Sequence, residues 1–207
     1  MALELNGTTG VSLVQDGVVT AADLSSTLDL SSKTLTLPTD SGNWVEVSSG
    51  TLSGNSTVTV DGAFTTTYRN YRMYINFTNA TTVTDGDLDM RYRNGGSTDS
   101  SSNYEYRTEY WVPGGNSGTA VQSANTSNHT LYDNYDTNAR IMGFIDFYSP
   151  AHTDANAMAM WTLQGIDNGT AKLMFGHGRY ENTTAQDGLY LSMSAYFNGS
   201  YKIYGIK

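Results

Sequence analysis

The stretch GLYLSMSAYFNGSYKIYGI, residues Gly188–Ile206, gives the clearest indication of the fold. Every second residue from Leu189 to Phe197 is apolar and the residues between them are Tyr or Ser, a period of two that is typical of a β-strand with one buried face. Asn198 and Gly199 suit the two central positions of a type I′ turn, so the pattern predicts a β-hairpin that returns through the following residues. Because an isolated hairpin is only marginally stable in water, the rest of the chain must supply strands for it to join.

Residues 44–207 repeat this pattern of short alternating stretches separated by turn residues. Apolar and polar residues alternate in 71–77, 87–93 and 104–112, and the nearly continuous apolar run at 141–147 is typical of a central strand buried on both faces. Two polar segments, Asn94–Asn103 and Pro113 to about Thr130, are predicted to be loops. We therefore predict an all-β domain, an antiparallel β-sandwich or jelly roll of about ten strands.

The first 43 residues differ in composition from the rest of the chain. They contain no aromatic residue, and their Leu and Val residues are scattered among Gly, Thr, Ser and Asp. Such a segment cannot form a core of its own, so its apolar residues must be buried against the following domain, another copy of the chain or another protein. We predict an extended, mostly irregular segment, 1–43, for attachment or oligomerisation, followed by a β-domain, 44–207. The candidate docking residues are Leu3, Leu5, Val11, Leu24 and Leu28.

The charge of the chain argues against nucleic-acid and membrane partners. Its 207 residues include 20 acidic and 11 basic ones, for a formal net charge of −9, and such a field repels phosphate backbones and anionic lipids. No apolar run approaches the roughly 20 residues that a membrane-spanning helix needs. Cysteine is absent, so no disulfide stabilises the chain and packing must hold the fold.

Sequence signatures of catalysis and of metal binding are absent. There is no GxSxG motif, P-loop or dinucleotide-binding fingerprint. Glu105 and Glu109 share one face of a predicted strand but lie about 13 Å apart by strand rise, too far for a glycosidase pair, although acids from separate strands could still converge. Asp85, Asp87 and Asp89 resemble the start of a calcium loop without its later ligands, and the three His show no metal-binding spacing. We predict no enzymatic activity, no bound metal and no cofactor.

Aromatic side chains on polar strand faces are the more promising candidates for binding. Exposed Trp and Tyr rings stack on the apolar side of a pyranose, while amides and carboxylates bind its hydroxyls. The alternative interpretation is that these rings belong to the core or to contacts between subunits. The candidate glycan or receptor surface consists of Trp111, Tyr110, Tyr132, Tyr135 and Asn116, centred on Trp111 and the predicted loop that follows it.

Both ends of the chain resemble virion proteins of tailed bacteriophages. The stretches NGTTGV (6–11), DGVVTAADL (16–24) and TLDLSSKTLTLP (27–38) are similar to the N-terminal segments of tail-fibre and related proteins, especially those of small marine phages. The final GSYKIYGIK (199–207) is similar to the last strand of many phage particle domains. The resemblance implies a homotrimer located in the virion, with its N-terminal segment docked on other virion proteins and its β-domain facing outward.

Three functions follow from these observations. The first is a short trimeric fibre or spike that attaches the particle to a host-surface glycan. Typical fibres carry a long shaft of repeats between the two ends, whereas this chain has none, so a capsid decoration protein that stabilises the head is the second. The third is a carbohydrate-binding module or glycan-degrading enzyme that acts outside a virion.

Overall fold

The structure, a computed structural model, describes residues 44–83, 85–115, 118–137, 139–167 and 170–207. These residues form strands and turns without a helix, and accordingly none of them forms a helix that is long and apolar enough to cross a membrane. The proposed boundary between residues 43 and 44 stays a prediction, because residues 1–43 lie outside the described part of the chain. The docking candidates Leu3, Leu5, Val11, Leu24 and Leu28 are therefore outside it as well, as is the surface candidate Asn116.

The described residues form one antiparallel sheet, which confirms the all-β prediction. The hydrogen-bonded order is β4-β3-β11-β2-β8-β9-β10-β5-β6, with β1 beside β11 and β7 beside β3. This is a single continuous, curled sheet, so the finer assignment to a sandwich or jelly roll stays a prediction. The strands are β1 (Trp44–Val60), β2 (Asn70–Asn79), β3 (Gly86–Asn94), β4 (Ser97–Thr98), β5 (Tyr104–Trp111), β6 (Gly118–Thr126), β7 (His129–Tyr135), β8 (Arg140–Tyr148), β9 (Ala157–Asp167), β10 (Thr170–Tyr180) and β11 (Gly188–Ile206).

The predicted C-terminal hairpin is wrong, because β11 is one uninterrupted strand of 19 residues. The chain continues straight through Asn198 and Gly199, which pair with β2 in regular register. Gly199 has a φ of 140°, and a Cβ there would lie 2.0 Å from the carbonyl oxygen of Asn76. This glycine therefore permits close approach of β2 and does not form a turn. The Asn198 side chain accepts a hydrogen bond from the backbone N–H of Gly54 on β1 at 2.9 Å.

Strand β11 divides the sheet into two branches. Along one edge it pairs first with β3, through Gly188–Met193, and then with β2, through Phe197–Ile206. Strand β1 follows its other edge. From β2 the larger branch continues through β8, β9, β10, β5 and β6, whereas β3 leads to β7. The two branches meet across the core, where β7 contacts β5, β9 and β10 although its backbone pairs with β3.

Two further expectations are corrected by the structure. The segment from Pro113 to Thr130, predicted to be a loop, contains all of β6 and the start of β7. Among the described strands, β6 lies at the edge of the sheet and pairs only with β5. The apolar run in β8 is not buried on both faces. Its Ile145 and Phe147 are fully buried, but Phe144 and Met142, on the outward face, are only partly covered.

The core is lined by the inward residues of both branches and is rich in aromatic rings. The hydroxyl group of Tyr104 bonds the backbone on two sides, since it accepts a hydrogen bond from the N–H of Tyr92 at 2.9 Å and donates one to the carbonyl of Asp99 at 3.1 Å. The largest fully buried side chains are Trp161, Tyr71, Tyr92, Tyr104, Tyr132, Tyr135, Tyr180, Phe77, Phe147, Phe197, Met73 and Leu88.

His129 is a buried ionisable group in this aromatic core. Its ring stacks on Trp161 with centroids 5.9 Å apart and meets Tyr104 edge-on at 5.1 Å. Its Nε2 lies 3.2 Å from the carbonyl oxygen of Arg179. Burial lowers the pKa of His129 to about 4, because the charged imidazolium would lose its hydration without gaining a carboxylate partner.

Acid should destabilise the fold through His129. The pKa of this histidine is 6.5 without the fold and about 4 within it, so the unfolded chain binds more protons between these values and stability falls as pH decreases from 6.5 to 4. The shift corresponds to about 3 kcal/mol. In H129Q, the free energy of unfolding, measured in urea at each pH, should decrease by about 3 kcal/mol less than in the wild type over this range.

A matched control is H177Q, since His177 is exposed on the outward face of β10. This variant should follow the wild-type pH dependence. If H129Q and the wild type lose stability in parallel, the neutral buried state of His129 is contradicted.

Candidate binding surface

The outward face of the larger branch exposes a contiguous set of large apolar side chains. Of the nine exposed residues of this kind in the described part of the chain, six lie on it and Trp44 of β1 reaches it by packing on Tyr74, each with 40 to 52% of its surface accessible. Single exposed apolar residues are ordinary on soluble proteins, whereas a contiguous group marks a surface for interaction. The seven are Trp44, Tyr74, Trp111, Met158, Met160, Ile166 and Phe175.

Strand alternation explains how Trp111 comes to lie on this face. In β5, Tyr104 and Thr108 point into the core, so the residues at odd positions, ending with Trp111, point outward. The register between β5 and β10 then places Leu173 beside Trp111 and Phe175 beside Glu109. The exposed indole therefore lies next to two apolar side chains from a different strand.

These neighbours form a shallow depression, the Trp111 site, which we define by Arg107, Glu109, Trp111, Leu173 and Phe175. An ion pair borders it, with Arg107 Nε 2.8 Å from Glu109 Oε1. The site thus combines an apolar ring platform with a guanidinium that donates hydrogen bonds and a carboxylate that accepts them. This combination suits a ligand that has one apolar face and hydroxyl groups around its edge.

Of the predicted surface residues, Trp111 is exposed and two others are misplaced. Tyr132 and Tyr135 are wrong as surface residues, because β7 is a core strand and both rings are fully buried. The Tyr135 hydroxyl accepts a hydrogen bond from the N–H of Ala195 at 3.2 Å, and the Tyr132 ring lies 5.4 Å from Lys172 Nζ. Tyr110 faces inward and packs, half-buried, against the core.

Sequence reasoning missed Leu173 and Phe175 of the Trp111 site. Their alternation with buried Met174 is visible in the sequence and indicates that they share a strand face. Which other strand they face depends on the pairing of β10 with β5, and no local pattern encodes that pairing.

A second group, the aromatic–methionine patch, lies on the same face and consists of Trp44, Tyr74, Phe144, Met158 and Met160. An ion pair is embedded among these side chains, in which the guanidinium of Arg72 forms two hydrogen bonds of 2.5 and 2.6 Å with the carboxylate of Asp146. The same guanidinium lies 4.2 Å from the centroid of the Phe144 ring and 5.3 Å from that of Trp44. The hydrogen bonds from Arg72 to Asp146 raise the pKa of Arg72 above its ordinary value.

The carboxylates of β5 are engaged in ion pairs. Glu105 accepts a hydrogen bond from Arg179 at 2.8 Å, and Glu109 pairs with Arg107. Among the residues that the structure describes, no three His, Asp or Glu side chains come together as a set of metal ligands. The outward face offers apolar contact area beside ion-paired groups that can form hydrogen bonds.

No protein-family model, curated protein or solved structure matches this chain.

Removing the Asp146 charge should destabilise the protein measurably. D146N leaves a largely covered guanidinium without its counter-charge, and we expect a loss of about 2 kcal/mol in the free energy of unfolding. D154N is the matched control, because the Arg69–Asp154 pair has side chains that are 53 and 61% exposed. It should change stability by less than about 0.5 kcal/mol. Equal losses in both variants, measured by urea unfolding, would contradict the special role of the Asp146 pair.

Proposed function

We propose that the chain is a structural protein of a tailed-bacteriophage virion. It forms a short homotrimeric fibre or spike, attaches to other virion proteins through residues 1–43 and presents domain 44–207 to the host surface. The resemblance of both chain ends to phage particle proteins supports the virion location and the trimer. In this proposal, the Trp111 site binds a host-surface glycan.

The composition and rigidity of the Trp111 site carry the glycan proposal. Trp111 is 49% exposed, and a planar ring of this size offers a large contact area with little loss of conformational entropy on binding. Its strand is paired on both edges, with β10 and with β6, so the platform is held by the sheet. Arg107 and Glu109 supply donors and acceptors for ring hydroxyls at the border of that platform.

Binding without catalysis fits the geometry better than glycan hydrolysis. Glu105 and Glu109 are both ion-paired on an open face, whereas a glycosidase general acid needs a raised pKa in an enclosed site.

A capsid decoration protein is the second candidate, and the breadth of the outward apolar face favours it. A broad sheet face carrying Trp, Tyr, Phe and Met side chains has the composition of a protein–protein contact. In that role residues 1–43 would clamp the neighbouring shell subunits and the outward face would add a second contact with them.

Substitution of Trp111 tests glycan recognition. We expect the full-length chain to bind members of an array of bacterial lipopolysaccharides and capsular polysaccharides, and W111A to bind the same members about 10- to 100-fold more weakly, because the stacking platform is lost. W111F should retain most of the affinity. Y196A is the control, since Tyr196 is 52% exposed on β11 outside the Trp111 site. Undiminished binding by W111A would refute this site.

Phage adsorption distinguishes the two virion roles. Excess purified wild-type chain should reduce adsorption of the phage to its host if the chain is a receptor-binding spike, and W111A should not. A decoration protein would leave adsorption unchanged. Particles assembled with a chain that lacks residues 1–43 should lose the protein in either role, as measured by mass spectrometry of purified particles.

A further inference from the structure

We infer that the aromatic–methionine patch is the surface on which a second copy of this chain docks. The inference rests on the self-association included in the proposed function and locates it on the fold. The patch extends across the outward faces of β1, β2, β8 and β9 and borders the Trp111 site on β5 and β10, since Met160 lines one depression together with Arg107, Glu109 and Phe175.

Strand register makes the patch contiguous. Tyr74 of β2 faces Phe144 of β8, and Asp146, two residues further along β8, faces Met160 of β9. Trp44 completes the patch from β1, with its ring 6.4 Å from that of Tyr74. The exposed side chains thus form one surface across neighbouring strands.

The area of the patch suits a stable contact between two copies. Trp44, Tyr74, Met158 and Met160 are 41 to 48% exposed, which for side chains of about 200 Å² each leaves roughly 400 Å² of apolar surface in water. Interfaces between identical subunits are about 65% apolar, so an interface that contains this apolar surface would bury roughly 600 Å² on each copy. Two copies would then bury about 1,200 Å², the lower limit for specific complexes.

The aromatic side chains of the patch are packed before any partner arrives. Trp44 packs against Tyr74 and also against Tyr204, with ring centroids 6.4 and 6.1 Å apart. Arg72, held by Asp146, lies against the Trp44 and Phe144 rings. These rings lose little side-chain entropy on docking, so more of their buried area contributes to affinity.

The charge distribution of the chain favours a second copy as the protein that docks on the patch. The whole chain carries a net charge of −9, so two copies repel each other unless they meet where the charges balance. In and beside the patch they do, because Arg72 pairs with Asp146 and Lys202 pairs with Glu46. A positively charged partner would instead be attracted to the acidic residues of β3 and β7, which include Asp87, Asp89 and Asp133.

M160E tests the inference in the full-length chain. Wild type should sediment as an oligomer at micromolar concentration, and the buried, unpaired carboxylate of M160E should raise the dissociation constant of that oligomer by about 100-fold or more. I166E is the matched control, because Ile166 lies on the same strand and the same outward face, 52% exposed, but outside the patch. It should assemble like the wild type.

Each outcome bears on one proposal separately. If the wild-type chain stays monomeric, the docking inference is overturned. Glycan binding at the Trp111 site is then still tested by the polysaccharide array. If the M160E oligomer is as stable as that of the wild type, the contact between copies lies elsewhere on the fold. That result overturns docking at the patch but not the homotrimer.

Methionine oxidation of the wild type gives a test that does not depend on a variant folding. Met158 and Met160 should be oxidised by dilute peroxide in the dissociated chain and about 10-fold more slowly in the oligomer, because burial excludes the oxidant. Equal rates in both states overturn the inference. Protection that appears only within assembled particles, with a monomeric purified chain, would assign the patch to another virion protein and would overturn it as well.

Discussion

Strand β11 pairs along both of its edges, and the placement of the other strands follows from that pairing. On one edge it holds β3 and then β2, and on the other it holds β1. The gap between β3 and β2 is where the sheet divides and begins to close over the core. Gly188 and Gly199 make the close packing possible, since a Cβ at either would lie 2.0 Å from a carbonyl oxygen of the neighbouring strand. A side chain at these positions would push β1 or β2 away and disrupt the centre of the sheet.

The alternation that fills the core also builds the outward face. In β9 and β10, Trp161 and Met174 point inward while Met160 and Phe175 point outward. An antiparallel sheet with one face in water ordinarily carries polar side chains there, whereas this face presents aromatic and methionine side chains with embedded ion pairs. Because the sheet holds these residues in register, binding on this face requires little ordering of the protein. Both the glycan proposal and the docking proposal depend on this property.

The local pattern of the sequence was sufficient to identify most strands and their faces. Alternation identified β2, β3 and β5 as strands and placed Trp111 on the polar face of β5, which in the structure points outward. This works because a side chain alternates across a strand whatever its neighbours are, so burial of one face leaves a two-residue period in the sequence. The absence of a long helical period likewise indicated an all-β chain.

Long-range pairing accounts for what the local pattern did not reveal. Asn198–Gly199 has the composition of a tight turn, yet backbone pairing on both edges keeps β11 extended through it. Tyr132 and Tyr135 were predicted to belong to a binding surface, but β7 pairs with β3 and both rings are buried in the core. The Trp111 site likewise requires β10 beside β5. Strand neighbours are chosen by the packing of residues far apart in the chain, and a short stretch of sequence contains only one side of each such contact.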